Sequence, residues 1–164
     1  MNTYGAHSKV RIRAYNSGDA ETTLRIFQEA ITVTAAQDDT PAQIDAWARP
    51  RQLDVMQWDQ AMLRRKSFVA IIGDQVVGFS DVREDGYIDM LYVSPDFARR
   101  GVAREMLMFL EEQARSSSVQ QLTANVSITA RAFFEAVGFH VEAEQHPVLN
   151  GLEMTNFRMT KALT

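Results

Sequence analysis

The chain has 164 residues, of which 46 % are apolar and 23 % are charged, so it can bury a core and is not expected to be disordered. Its formal net charge of −4 argues against nucleic acid as a partner, because binding phosphate backbones requires a basic surface. The sequence has no cysteine, which excludes disulfides, thiolate catalysis and zinc–thiolate sites, and no apolar run approaches the roughly 18 residues of a membrane span.

The first third of the chain predicts one strand followed by helices. The first eight residues lack the apolar core of a signal peptide, so we expect a cytoplasmic protein. We also expect no membrane partner and no metal. Residues 10–15 alternate apolar and polar side chains, as a half-buried strand does. Apolar residues then recur at helical spacing from Leu24 to Thr34, and shorter helices are predicted after Pro41 and over residues 55–63.

The remainder of the chain alternates strands and helices. Strands are predicted at residues 68–72, 76–82, 87–93, 119–126, 139–143 and 153–159, and helices at about 102–115 and 130–137. The first three of these strands are joined by short turns, which is typical of an antiparallel meander. Because no repeat, low-complexity segment or linker divides the chain, we predict a single mixed α/β domain over residues 1–164. This order of elements does not by itself indicate a chemistry.

A strand-to-helix junction at residues 91–107 suggests an anion site. The first turn of a helix leaves backbone N–H groups unpaired, and the helix dipole adds positive potential there. The small residues Gly101 and Ala103 would let a phosphate approach those groups. Three arginines would add countercharge: Arg99, Arg100 and Arg104. We predict a diphosphate site, with an ordinary surface loop as the alternative; a P-loop and a Rossmann motif are excluded by the missing lysine and glycines.

Two segments carry signatures of a known family. Residues 98–103 match Gln/Arg-x-x-Gly-x-Gly/Ala at the glycine and the final small residue, with Ala98 at the first position. Residues 130–139 match Ala-x-x-Phe-Tyr followed by Gly-Phe, with Phe134 in place of the tyrosine, and Ser127 stands where asparagine is frequent. In these segments, the sequence resembles the GNAT superfamily of N-acetyltransferases. The resemblance covers about residues 10–161.

This resemblance implies a fold and a co-substrate. The implied GNAT-like fold is a twisted mixed sheet of about six or seven strands with helices on both faces. Acetyl-CoA would bind within residues 87–139, in a cleft where the central strand diverges from its neighbour. The residues implied in holding it are Leu91, Tyr92, Val93, Arg99, Arg100, Gly101, Val102, Ala103, Arg104, Ser127, Phe133 and Phe134.

The resemblance also implies an activity. The expected reaction is direct transfer of an acetyl group from acetyl-CoA to a primary amine on a small molecule or a peptide. The alternative is a non-catalytic module that binds or senses acetyl-CoA, suggested by the departures at Ala98, Ser127 and Phe134. Relatives often form dimers, so a homodimer is compatible with the resemblance. The identity of the amine is not indicated.

The candidate catalytic residues are Asp89, Tyr92 and Ser127. Asp89 stands in an otherwise apolar strand, where an unpaired carboxylate is costly to bury, so it could bind an ammonium or accept its proton. A structural hydrogen bond or an ion pair with an arginine is the alternative. Many relatives protonate the leaving thiolate with the tyrosine that Phe134 replaces here. The remaining candidate donors are Tyr87, Tyr92, Ser127 and Thr129, although a thiolate whose thiol has a pKa of about 8.5 can leave with little help. For the tyrosines, Tyr87 and Tyr92, packing in the sheet is the alternative role.

The acceptor side is predicted in the helical region at about residues 17–66. Its candidate pocket residues are Phe27, Ile31, Trp47 and Trp58, each of which could instead belong to the core. Residues 19–62 contain eight acidic and three basic side chains, a local balance of −5. This acidic setting favours a cationic amine, although solvated helix faces are also commonly acidic.

Overall fold

The computed structural model describes residues 9–34, 40–43, 54–149 and 151–163. The helices are α1 (Ala20–Thr34), α2 (Val55–Arg64), α3 (Val102–Ser116) and α4 (Arg131–Ala136), and residues 41–43 are also helical. The strands are β1 (Val10–Ala14), β2 (Phe68–Ile72), β3 (Gln75–Ser80), β4 (Tyr87–Ile88), β5 (Leu91–Val93), β6 (Gln121–Ser127), β7 (His140–Gln145), β8 (Val148–Leu149), β9 (Leu152–Glu153) and β10 (Asn156–Ala162). The part of the predicted helix after residue 43, which includes Trp47, lies outside the described residues.

Two four-stranded sheets form the framework, and they diverge from one another at the centre of the chain. The first has the order β1-β2-β3-β5 and is antiparallel throughout. The second has the order β4-β6-β10-β7, with β4 and β6 parallel. The predicted mixed α/β class and the predicted meander are confirmed. The described strands outnumber the predicted six or seven, because one predicted strand is divided and a short hairpin, β8-β9, is added.

The predicted strand at residues 87–93 is divided because its two ends pair with different neighbours. Tyr87–Ile88 pairs with β6, whereas Leu91–Val93 pairs with β3. Asp89 and Met90 between them belong to neither ladder. An alternating apolar pattern predicts extended backbone, and the backbone here is extended at both ends, but the pattern carries no information about a change of partner.

Helices cover both faces of the first sheet. A β-bulge in β3 places Val77 toward α3, in contact with Val102 and Met106, while Phe79 lies on the opposite face with α1 and α2. On that opposite face Trp58 is 2 % exposed. The second sheet packs against the other side of α3 and against α4. The predicted placement of helices on both faces is therefore confirmed.

The C-terminal region contains the hairpin that the sequence prediction missed. Strands β8 and β9 precede β10, so the predicted strand at residues 153–159 is in fact the end of β9 and most of β10. Gly151, in the turn of the hairpin, has a left-handed φ of +79°. The Asn-Gly dipeptide at residues 150–151, a strong hairpin signal, was available in the sequence. Within the described ranges, none of the helices has the length and apolar character needed to cross a membrane.

Candidate active site

A cleft opens where β5 and β6 separate. Strand β5 is an edge of the first sheet, and among the described strands none pairs with β6 beyond Ala124 on the side where β4 ends. A cavity of about 80 Å³ lies in this gap. It is lined by Ile88, Asp89, Leu91, Tyr92, Ala124, Asn125, Val126, Ser127, Ala130 and Phe134. An extended ligand could add to the outer edge of β5 as a further strand does.

Ser80, the last residue of β3, and Asp81, which follows it, form hydrogen bonds with the backbone at the break between β4 and β5. The Ser80 hydroxyl donates to the carbonyl oxygen of Met90 at 2.6 Å, and the Asp89 amide donates to the Asp81 carboxylate at 3.0 Å. Asp81 is only 2 % exposed, and its Oδ2 has no hydrogen-bond partner among the described residues. Burial raises the pKa of Asp81 to about 6. These contacts replace the missing ladder bonds and fix where the Asp89 side chain emerges.

The junction between β5 and α3 has the properties of an anion site. Residues 95–97 form one 3₁₀ turn, and Arg99 and Gly101 have left-handed φ values of 62° and 81°. Gly101 caps α3 without any side-chain hydrogen bond to its first turn, and a Cβ added there would meet no atom within 4 Å. Arg99, Arg100 and Arg104 are exposed, and none forms an ion pair with a described residue. Uncapped amides beside unpaired guanidinium groups suit a diphosphate.

The residues predicted to hold acetyl-CoA are not all in one place. Leu91, Tyr92, Ser127 and Phe134 line the cleft. Val93 and Val102 instead pack in the core between the first sheet and α3. Phe133 packs beside Phe134, with ring centroids 5.5 Å apart, and does not line the cleft. The basic junction lies at the end of β5, so the cleft and the junction are consecutive along the chain.

A second, larger cavity of about 370 Å³ adjoins the cleft. It is lined by Phe27, Arg65, Tyr87, Asp89, Met90, Tyr92, Asn125, Ser127, Pro147, Val148, Leu149, Met154, Thr155 and Asn156. The two cavities share four residues: Asp89, Tyr92, Asn125 and Ser127. A group held at the end of the cleft would therefore lie next to a ligand in the larger cavity.

Asp89 is paired with an arginine, as one of the two sequence-based alternatives predicts. Arg65 Nε donates to Asp89 Oδ2 at 2.9 Å, and the side chains are 31 % and 28 % exposed. Arg65 is the C-terminal cap of α2 and lies 24 positions before Asp89. The pair joins the helical region to the break between β4 and β5. The second alternative, contact with a substrate amine, stays a prediction.

Three polar side chains that line the larger cavity, Tyr87, Asn125 and Asn156, are joined into one hydrogen-bonded chain by Gln145, which is not part of the lining. Asn125 Nδ2 donates to the Tyr87 hydroxyl at 3.2 Å, and Gln145 Nε2 donates to the side-chain oxygens of Asn125 and Asn156 at 3.0 and 2.9 Å. Burial, followed by the charge of Asp89, raises the pKa of Tyr87. Since its oxygen accepts a bond from Asn125, the Tyr87 hydroxyl keeps its own proton available for donation.

The other predicted catalytic residues occupy the boundary between the cavities. The Tyr92 ring packs edge-on against Phe27, with centroids 4.8 Å apart, and also against Phe79 at 5.7 Å. The Ser127 hydroxyl accepts a hydrogen bond from the Ala130 amide at 3.2 Å and so shapes the turn before α4. Tyr92 has the packing contacts of its alternative role, Ser127 has a structural hydrogen bond, and both residues line the two cavities.

The predicted pocket residues of the helical region separate into different environments. Phe27 lines the larger cavity. Ile31 and Trp58 are 1 % and 2 % exposed, lie in the core between α1, α2 and the first sheet, and do not reach either cavity. Trp47 falls outside the described residues. Of the described side chains of α1, Phe27 alone lines the cavity.

Sequence reasoning did not identify Arg65, Asn125 or the β8-β9 hairpin as part of this site. Arg65 follows directly on another exposed arginine at the end of a helix, so nothing in its local pattern sets it apart. Asn125 is a polar residue in a strand whose apolar and polar residues alternate, and this pattern predicts a solvent-facing side chain. A signal existed only for the hairpin, in the Asn-Gly dipeptide.

Comparisons with known proteins agree with this architecture. A GCN5-related N-acetyltransferase of Rhodopseudomonas palustris, also described as a class-II aminotransferase, superimposes with a TM-score of 0.88 at 30 % identity, covering 93 % of this chain and 95 % of that one. PaiA N-acetyltransferase of Thermoplasma acidophilum, solved in complex with coenzyme A, superimposes with a TM-score of 0.76 at 18 % identity, covering 93 % and 98 %. The fold is thus that of the GNAT N-acetyltransferases.

Sequence comparison leads to the same family. The uncharacterized N-acetyltransferase YafP of Escherichia coli strain K12 is 41 % identical over 152 residues, which are 93 % of this chain and 95 % of that protein. The family profile described as an acetyltransferase (GNAT) domain matches residues 35–161. The chain belongs to the GNAT acetyltransferase family, and the resemblance identified in its sequence is confirmed.

Proposed function

We propose that this protein transfers the acetyl group of acetyl-CoA to a primary amine by direct attack within a ternary complex. The observation that supports this most directly is the shared boundary of the two cavities. Asp89, Tyr92, Asn125 and Ser127 line both, so a thioester at the end of the cleft would meet an amine in the larger cavity. Holding two reactants side by side can contribute about 7–11 kcal/mol to lowering the barrier.

The cofactor side of the proposal rests on the cleft and on the junction after β5. The outer edge of β5 would bind the pantetheine arm, and the uncapped amides from Gly101 to Arg104 would bind the diphosphate. The exposed arginines of this loop would add charge pairing. Membership of the acetyltransferase family agrees with acetyl-CoA as the co-substrate, and PaiA, a protein of the same fold, was solved with coenzyme A.

In the proposed reaction the amine nitrogen bonds to the thioester carbonyl carbon, and the carbon–sulfur bond breaks. The ammonium form of the acceptor loses one proton before attack and the amide nitrogen loses a second, while the thiolate takes up one, so one proton is released overall. Asp89 would bind the ammonium and accept its proton. Phe134 lines the cleft and has no proton to give, so Tyr87 or Ser127 would protonate the thiolate, or it would leave unassisted.

Calorimetric titration with acetyl-CoA tests the cofactor site. We expect micromolar binding by the native protein and at least tenfold weaker binding by Gly101→Leu, because the added side chain would occupy the approach to the α3 amides. Gly73→Leu is the matched control, since Gly73 also has a positive φ, of 61°, and a Cβ there would also meet nothing within 4 Å. Equal binding by both variants, or none by the native protein at millimolar acetyl-CoA, would contradict the proposed site.

Coenzyme A release with a panel of amines tests the chemistry. A thiol reagent can follow it directly, because the protein has no cysteine to contribute background. We expect Asp89→Asn to lower kcat at least tenfold while acetyl-CoA binding is unchanged. Tight binding of acetyl-CoA without turnover of any amine would instead favour the non-catalytic sensing module.

A further inference from the structure

The charged groups of the larger cavity indicate what kind of amine it can accept. Among the described residues that line it, only Arg65 and Asp89 carry a formal charge, so the lining is neutral in sum. Within this described lining, the single carboxylate is already paired with a guanidinium that repels a second cation, so a polycation would gain little from these residues.

The Arg65–Asp89 pair retains hydrogen-bonding capacity on both partners. Their contact is a single bond from Nε to Oδ2 at 2.9 Å. Within the described part of the chain, Nη1 and Nη2 of Arg65 and Oδ1 of Asp89 make no hydrogen bond. Both side chains are about three-tenths exposed, so a ligand can reach them. The pair thus offers an ammonium group an acceptor, Oδ1 of Asp89, next to two donors for a carboxylate, Nη1 and Nη2 of Arg65.

The rest of the cavity is mainly apolar and small. Its apolar lining consists of Phe27, Met90, Tyr92, Pro147, Val148, Leu149 and Met154. Its volume of about 370 Å³ is near the lower end of the roughly 300–1,000 Å³ found for small-molecule sites. An acceptor that fills it would therefore be a small molecule with an apolar body.

From these three features we propose that the acceptor is a zwitterion, a free α-amino acid with an apolar side chain. Its ammonium contacts Asp89, its carboxylate contacts Arg65, and its side chain packs against the apolar wall. This assignment rests on the proposed acetyl transfer and specifies its product as an N-acetyl amino acid. It replaces the cationic amine suggested by the acidic composition of residues 19–62.

The assay compares acceptors that differ only in the carboxylate: L-phenylalanine with L-phenylalaninamide and 2-phenylethylamine, and L-leucine with L-leucinamide. We expect kcat/KM for each free acid to exceed that for its amide at least tenfold. Arg65→Gln should lower the ratio of kcat/KM for each free acid to that for its amide at least tenfold, because only the acid has a carboxylate that Arg65 can bind. Arg64→Gln, which removes the same charge from the neighbouring exposed position, preserves the preference.

Binding of L-phenylalanine to the protein saturated with coenzyme A separates this inference from the proposed reaction. One outcome is that L-phenylalanine binds, that Arg65→Gln weakens this binding, and that no amine is turned over. This outcome supports the zwitterion site and rejects acetyl transfer. Turnover of amides or simple amines at least as fast as the free acids overturns the zwitterion site and leaves acetyl transfer standing. If the free acids are neither bound nor turned over, the inference is overturned outright.

Discussion

Asp81 offers a sharp test of the contacts that hold the break between β4 and β5. It is 2 % exposed, its Oδ1 accepts the Asp89 amide, and its Oδ2 has no partner among the described residues. The change to test is Asp81→Asn, which keeps the shape and the accepting oxygen but cannot ionise. Asp74→Asn, at an exposed position of the β2–β3 turn, removes the same charge and serves as the control.

The size of the effect follows from the displaced pKa of Asp81. Burial, with the charge of Asp89 adding to it, raises this pKa from 3.8 to about 6, against the opposing effects of Arg65 and two backbone amides. Because the native state binds the proton more tightly than the unfolded state, this group's contribution to stability is fully present below pH 3.8 and is lost as pH rises through 6. The loss is about 1.4 kcal/mol between pH 5 and pH 8, and about 3 kcal/mol in total.

Urea unfolding followed by tryptophan fluorescence at pH 5, 6, 7 and 8 measures this contribution. Relative to the native protein, Asp81→Asn should gain about 1.4 kcal/mol in free energy of unfolding as pH rises from 5 to 8. The difference between Asp74→Asn and the native protein should stay nearly constant over that range. A constant difference for Asp81→Asn, or one that falls with pH, would refute the account of a buried carboxyl group that is harder to ionise in the folded state.

Two further substitutions test packing and a buried hydrogen bond. Gly86→Ala should lower the free energy of unfolding by about 3 kcal/mol, because its Cβ would lie 2.2 Å from the carbonyl oxygen of Gln121 at a φ of +90°. Gly73→Ala, with a positive φ but open space, should cost only about 1 kcal/mol, and equal losses would contradict the steric argument. Thr23→Val should cost about 1–3 kcal/mol in urea unfolding, because it leaves the buried Trp58 indole N–H without the hydroxyl that accepts it at 2.9 Å. Thr23→Ser keeps that acceptor, so a loss as large as that of Thr23→Val would point to packing instead.

The sequence predicted much of the framework because the relevant patterns are local. Periodicities of two and of three to four residues identified β1 to β3, α1, α3 and α4 within a few positions, since side-chain spacing follows directly from backbone geometry. The start of α3 at Gly101 was predictable for the same reason, since the glycine and the amphipathic run that follows it are neighbours in the chain. In the structure this glycine is left-handed. The family signatures lie in these same local segments.

The candidate site was only partly predictable, because its residues come together through long-range pairing. The position of Asp89 in an apolar strand was recognisable, but its partner Arg65 stands at the end of a helix 24 residues earlier. Phe27 and Ile31 share one face of α1, and sequence spacing cannot show that only Phe27 reaches the cavity.

The sequence by itself determined the order and type of most elements, the basic junction before α3 and membership of the acetyltransferase family. The tertiary structure alone decided that the strand at residues 87–93 changes partner at Asp89, and that the Arg65–Asp89 ion pair and the β8-β9 hairpin contribute to the lining of the larger cavity. The physical reason is that local backbone conformation depends on neighbouring side chains. The choice of strand partner depends on which distant surfaces bury the most apolar area and satisfy the most hydrogen bonds.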